Sequence, residues 1–226
     1  MHFIVILLGF TGVLGKLIDC GSTVLVWYRM LIAFVFLLAY IYFTSNFKIS
    51  KKNFIQILGI GFVVAAHWLF FFESIKVSNV SVAVVCMGTS SLFSSFLEPL
   101  ILKRKIQTRE LVLSVVVLFA IGLALNADFS YVLGFIYGII AAFLATLFTI
   151  LNALYVNKVS SEKITLIEML GGLLIISVYL MFSAEINFDD LSISTRDIIY
   201  LIILGGVCTS FAFVISIEVM KFLSPY

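Results

Sequence analysis

Charge is scarce in this chain. Asp, Glu, Lys and Arg make up 12% of 226 residues, roughly half the share found in a typical soluble domain. Fourteen basic and twelve acidic side chains cannot coat the surface of a 25.2 kDa soluble particle. Proline is nearly absent, with two residues, so long helices are seldom interrupted. Three cysteines, Cys20, Cys86 and Cys208, are too far apart for a disulfide framework or for zinc-ligand spacing. His2 and His67 are the only histidines, and no close His/Asp/Glu cluster offers a metal site. No phosphate-cradling glycine loop is present, and no nucleophile–base pair can be named. The sequence therefore gives no catalytic residue, metal or cofactor to assign. Soluble enzymes, disordered regulators and nucleic-acid binders are set aside on composition alone.

What the chain has instead is apolar length. Hydrophobic residues reach 63%, with 23 phenylalanines, and the mean hydropathy is +1.23. The apolar runs are continuous rather than alternating, which favours helices over an outer-membrane barrel. Breaks at charged and turn residues predict eight spans, at 3–18, 24–43, 54–74, 80–102, 110–126, 131–156, 164–184 and 198–217. The first is short for a crossing. It lacks the basic start and cleavage site of a signal peptide and is read as a span.

Basic residues set the orientation. Lys48, Lys51 and Lys52 follow span 2, Lys103, Arg104, Lys105 and Arg109 follow span 4, Lys158 and Lys163 follow span 6, and Lys221 follows span 8. These alternate connections hold ten of the fourteen basic residues. The opposite connections carry Asp19, Glu73, Asp128, Glu185, Asp189, Asp190 and Asp197. The expectation is a multi-pass protein of an inner or plasma membrane with its N-terminus in the cytoplasm.

Two stretches repeat. KKNFIQILGIGFVVAAHWLFFFESIK (51–76) aligns with RDIIYLIILGGVCTSFAFVISIEVMK (196–221), so that Gly61 meets Gly206, Glu73 meets Glu218 and Lys76 meets Lys221. An odd number of spans separates span 3 from span 8, so the copies must point in opposite directions. That is the inverted repeat of many secondary transporters. A first unit would cover 1–127 and a second would begin near 131 and run to 226. The second holds three spans where the first holds five, so the sequence reads as eight of an expected ten helices.

This pattern resembles the EamA-type branch of the drug/metabolite transporter superfamily. The resemblance rests on G-F-T-G-V-L-G-K-L-I (9–18), W-Y-R (27–29), the small-residue-rich fourth span and the region of Gly122. It implies an all-α polytopic fold of two inverted five-helix units, the second truncated, with cytoplasmic termini. It maps the family's first-helix lysine and second-helix arginine to Lys16 and Arg29, with an anion-recruiting role at the outer ends of spans 1 and 2. It also implies an acid closing the fourth helix, where Lys103-Arg104-Lys105 stands, and a mid-helix proline, where Thr89 stands.

Polar groups inside spans are costly and mark candidate sites. Ser91, Ser94, Ser95 and Glu98 fall on one face of span 4. They read as a wall of a substrate pathway or as small-residue packing between close helices. His67 and Trp68 lie deep in span 3, where a titratable ring and a stacking ring suit an organic ligand, although they point about 100° apart. Asn152 in span 6, and Thr209 and Ser210 in span 8, complete the pathway candidates with Lys16 and Arg29. Glu73 with Lys76 and Glu218 with Lys221 sit at helix ends as gating or coupling candidates, or as interfacial ion pairs. Glu98 joins this group, or reaches the headgroups beside Lys103. Glu168, about one turn from a boundary, is expected to snorkel or bond locally.

The expected function is a secondary transporter moving a small organic metabolite, amino acid-like or xenobiotic, by alternating access, with a proton as optional coupling ion. Hydroxyls and aromatic rings suggest an uncharged or zwitterionic ligand. A non-transporting membrane subunit, or less so an intramembrane enzyme, is the alternative. Lipid and the small-molecule substrate are the expected partners; nucleic acid is not, and the sequence leaves the oligomeric state open.

Overall fold

Apolar helices are the only elements among the described residues of the computed structural model, which are 2–44, 47–103, 112, 114–119, 122–123, 129–183 and 193–222. Helices α1 (His2–Leu17), α2 (Ser22–Thr44), α3 (Lys51–Val77), α4 (Val80–Met87) and α5 (Ser90–Leu102) form the first part. A 3-10 turn at Phe129–Tyr131 leads into α6 (Val132–Ala153), followed by α7 (Ser161–Phe182) and α8 (Thr195–Ile202). α8 continues through a π-helical stretch, Ile203–Phe211, into α9 (Ala212–Val219).

Six of these continuous lengths are long and apolar enough to cross a bilayer, α4–α5 and α8–α9 each counting as one. Of the eight predicted spans, α1 is the shorter exception: 16 residues rise only about 24 Å at the α-helical pitch. Most of the predicted fifth span lies outside the described residues, as do Arg104, Lys105, Arg109, Asp128, Glu185, Asp189 and Asp190.

Local chemistry sets the helix ends. The Ser50 and Ser194 hydroxyls accept from the backbone N–H of Asn53 and Asp197, and the Asn79 side chain accepts from that of Val82. These are side-chain caps on otherwise orphaned donors. Span 4 is built of two helical pieces that meet at Gly88-Thr89, where Thr89 Oγ1 donates to the Cys86 carbonyl at 2.7 Å. A hydroxyl that competes for the helix's own carbonyls does here what a proline was expected to do.

α3 is the central helix. It packs against α6 and α7 most extensively, and also against α1, α2 and α4. α2 lies on α7 and on the π stretch, and α1 touches α3, α4 and the α8–α9 length. The main buried apolar cluster runs through Leu25, Met30, Val64, Phe72, Ile167 and Leu204, and a smaller one joins Val82, Cys86 and Phe135. The outer surface is also apolar, with Tyr42, Phe43, Met181 and Phe182 strongly exposed, as a lipid-facing surface requires.

The α3–α7 crossing depends on two glycines. A Cβ at Gly61 would run into the backbone of Glu168, and one at Gly171 into the carbonyl of Leu58. Backbone cannot yield as a side-chain tip can, so Gly61→Ala is expected to destabilise the protein by about 1–3 kcal/mol. Gly59 has open space around its Cβ position, so Gly59→Ala should leave stability equal or slightly raised. Thermal unfolding of both variants in detergent checks the contrast.

Candidate functional site

A cavity of about 610 Å³ opens among α1, α2, α3, the α4–α5 break, α6 and α9. Its wall is mostly apolar: Phe71, Val84, Met87, Ala145, Phe148 and Phe213 contribute much of it. The polar contributions come from Thr11, Arg29, His67, Ser90, Thr149 and Ser216, with the Trp68 ring beside them. Among the described residues no Asp, Glu or Lys is in that wall.

Arg29 is its most unusual member. It is 1% exposed, two turns into α2, and its Nε donates to Thr209 Oγ1 at 2.7 Å. The guanidinium carbon stands 3.8 Å above the centre of the Trp68 ring, and Phe72 lies 5.6 Å away. Nη1 is buried without a hydrogen-bond partner, and among the described residues no carboxylate forms an ion pair with Arg29. A cation–π contact at a desolvated site contributes on the order of 2 kcal/mol, less than burying a guanidinium costs.

The π stretch builds this arrangement. In a π turn the hydroxyls reach carbonyls five residues back: Thr209 Oγ1 donates to Leu204 at 2.7 Å, and Ser210 Oγ to Gly205 at 2.9 Å. Ser210 also lies 3.3 Å from the carbonyl of Ala33 on α2. A side chain at Gly205 would come within 3.0 Å of the Arg29 carbonyl and within 2.8 Å of Ile32. Glycine thus lets α2 approach closely enough for Thr209 to meet Arg29. π turns inserted in α-helices recur at functional sites.

His67 is held separately. Its Nδ1 donates to the Ala141 carbonyl at 2.8 Å, since a carbonyl can only accept. The ring packs 5.4 Å from Phe148 and 6.0 Å from Phe71. His67 and Trp68 are successive residues of α3, and both line the cavity.

The other candidates from sequence are placed differently. Lys16 is exposed at the end of α1 and is not brought to the buried Arg29. On span 4 the cavity takes Ser90, the neighbour of the predicted face. Ser94 donates to Glu98 Oε1 at 3.0 Å, Ser95 to the Leu92 carbonyl at 2.7 Å, and Ser91 lies 3.3 Å from Ser114. Glu98 is buried rather than extended to headgroups. The two E-x-x-K ends also diverge. Glu218 and Lys221 pair at 2.6 Å, with Ser161 donating to the same carboxylate. Lys76 instead donates to the Ile18 carbonyl at 2.6 Å, at the negative end of α1. Glu73 lines a second cavity of about 230 Å³ with Ser22, Tyr137 and Tyr179.

Glu168 does not snorkel: it is fully buried, because α7 lies flat on α3 at Gly61. Its polar neighbour is Asn152, also buried. Neither side chain makes a well-formed hydrogen bond with any described residue. Nothing in the sequence near Glu168 signalled this depth, since the boundary seemed one turn away. Outside the spans, burial pushes the Cys20 thiol up to about 11, so it stays protonated and does not act as a nucleophile near neutral pH.

The geometry makes Thr209 the support of the arginine. Thr209→Val, isosteric but without the hydroxyl, is expected to cost about 1–3 kcal/mol by leaving a buried N–H unpaired. Thr209→Ser should recover most of it, with thermal midpoints in detergent as the measurement.

The comparisons agree with this architecture. The model of the EamA-like transporter family matches residues 2–126. Among solved structures, one described as the crystal structure of a protein aligns with a TM-score of 0.67 at 11% identity, covering 97% of this chain and 77% of its own. That likeness concerns the fold alone. No curated protein matches the chain. A family match over more than half of the sequence, together with six bilayer-length helices, makes this chain a multi-pass membrane protein of the EamA-like transporter family, in the drug/metabolite transporter superfamily.

Proposed function

We propose that the protein is a secondary transporter that carries a small organic metabolite through the cavity beside Arg29, His67 and Trp68. The single observation that carries this reading is the cavity itself. Its volume of about 610 Å³ suits a metabolite-sized ligand, and a few polar groups interrupt a largely apolar wall, as in small-molecule sites generally.

Two inverted units, 1–127 and 131–226, supply the moving parts of this reading. Its support is a pairing regularity: α3 packs on α6 and α7, while the α8–α9 length packs on α1 and α2. Exchanging the first helix with the sixth span, the second with the seventh and the third with the eighth maps one set of contacts onto the other. Rocking of one unit against the other around a central site is the motion such symmetry permits.

With the basic connections in the cytoplasm, the N-terminus is cytoplasmic and the membrane is the inner or plasma membrane. Ile4, Val219 and Met220 then lie at the cytoplasmic ends of their helices, and all three line the cavity. In this reading Arg29 lies at the inner end of a vestibule that faces the cytoplasm, and Glu218–Lys221 flanks its mouth. A coupled proton has two buried carriers available, His67 beside the cavity and Glu168 beside Asn152.

Uptake and exchange in proteoliposomes, with a panel of labelled metabolites at two pH gradients, test the proposal. At least one compound should move, and Trp68→Ala should reduce its movement per folded molecule roughly tenfold or more. If a pH gradient drives uptake, Glu168→Gln or His67→Asn should remove that drive and spare exchange. Absence of movement for every compound by folded protein contradicts the proposal.

A further inference from the structure

We infer that the cavity's ligand is a monocarboxylate with an apolar body, its carboxylate pairing with Arg29 and its body lying against Trp68, Phe71, Phe148 and Phe213. The inference rests on the reading of this cavity as the transport site and sharpens its substrate class.

The charge inventory carries it. Arg29 is a cation in a span, 1% exposed, and a guanidinium has five N–H donors. One is used by Thr209, and Nη1 has no partner. The Trp68 ring takes one face of the guanidinium, which leaves the in-plane edge for acceptors. Inside a membrane protein a charge without a counter-charge marks a ligand or ion pathway more often than a structural contact. The planar fork matches a carboxylate in a bidentate geometry.

The rest of the wall narrows the class. Among the described residues Arg29 is the only Lys or Arg lining the cavity, so a single negative charge is matched and a phosphate dianion would be left half-neutralised. No Asp or Glu among the described residues lines it, so an ammonium group would be desolvated without a counter-charge. A zwitterion therefore loses what a simple acid keeps. Away from Arg29 the wall is dominated by rings and aliphatic chains, which favour an aryl or alkyl body. The inference departs from the uncharged or zwitterionic ligand expected from sequence, because among the described residues the wall holds one base and no acid.

Equilibrium binding to the purified full chain tests this with four matched compounds: 3-phenylpropionate, its amide, 2-phenylethylamine and phenylalanine. The acid should bind most tightly, with the amide and phenylalanine roughly tenfold or more weaker and the amine weakest. Arg29→Gln should weaken the acid roughly tenfold or more and abolish its preference over the amide, with the thermal midpoint in detergent reporting an intact fold. Should Arg29→Gln fail to fold, Arg29→Lys, which keeps the charge but not the fork, should retain the order of preference with a weaker acid. Equal binding of acid and amide overturns the inference, as does preference for the amine or phenylalanine, or failure of all four to bind folded protein. Transport of neutral or cationic compounds alone, with no acid moving, would overturn the inference and leave the transporter reading standing.

Discussion

A guanidinium held away from water constrains the centre of this protein. Arg29 is buried in α2 among apolar helices, and three features keep it there. The Trp68 face lies against it, Thr209 accepts from Nε, and the π stretch with Gly205 brings α2 and α8–α9 close enough for that bond. Trp68 comes from α3 and the other two from the α8–α9 length, so the arginine ties span 2 to span 3 and span 8. Removing any one leaves a buried donor or a buried charge exposed to hydrocarbon, which is why the local structure is irregular where regular helix would otherwise be cheaper.

The remaining helices give this centre a rigid frame. α3 lies on α7 with backbone nearly touching backbone at Gly61 and Gly171. α6 also packs on α3, where the Ala141 carbonyl accepts a hydrogen bond from His67 Nδ1. Close glycine contacts hold the rings of α3 at fixed depth, so the cavity wall is set by packing rather than by loops. The break at Gly88-Thr89 opens the fourth span toward the same space and places Val84, Met87 and Ser90 in the wall. Two polar irregularities, one in span 4 and one in span 8, thus flank the cavity from different sides.

Much of this was legible in the sequence. Seven of the apolar runs correspond to helical lengths within a few residues, because a twenty-residue apolar run has few alternatives in a bilayer. Arg29, His67 and Trp68 stood out because polar or ring-bearing groups in such runs are expensive or distinctive. What stayed hidden depends on neighbours far away in sequence. Whether Ser90 or Ser91 faces the cavity turns on the rotation of a helix that breaks at Thr89. The π turn needs one residue more than an α turn, and no residue type announces it. Glu168 seemed one turn from water, but it is covered by α3 through Gly61, more than a hundred residues away. Lys76 was legible as a pair for Glu73, yet the end of α1 offers it a carbonyl instead.

The most direct test of the central claim, a water-accessible vestibule leading to Arg29 from the side of the basic connections, is thiol accessibility at Ser216 in the cavity wall. Ser216→Cys, with Cys20, Cys86 and Cys208 replaced by serine, would be reacted with a membrane-impermeant thiol reagent in vesicles of known orientation. Rapid modification from the side carrying Lys51 and Lys163, and slow modification from the other, is the predicted result. Rapid modification from the opposite side only, or none from either side, would contradict it.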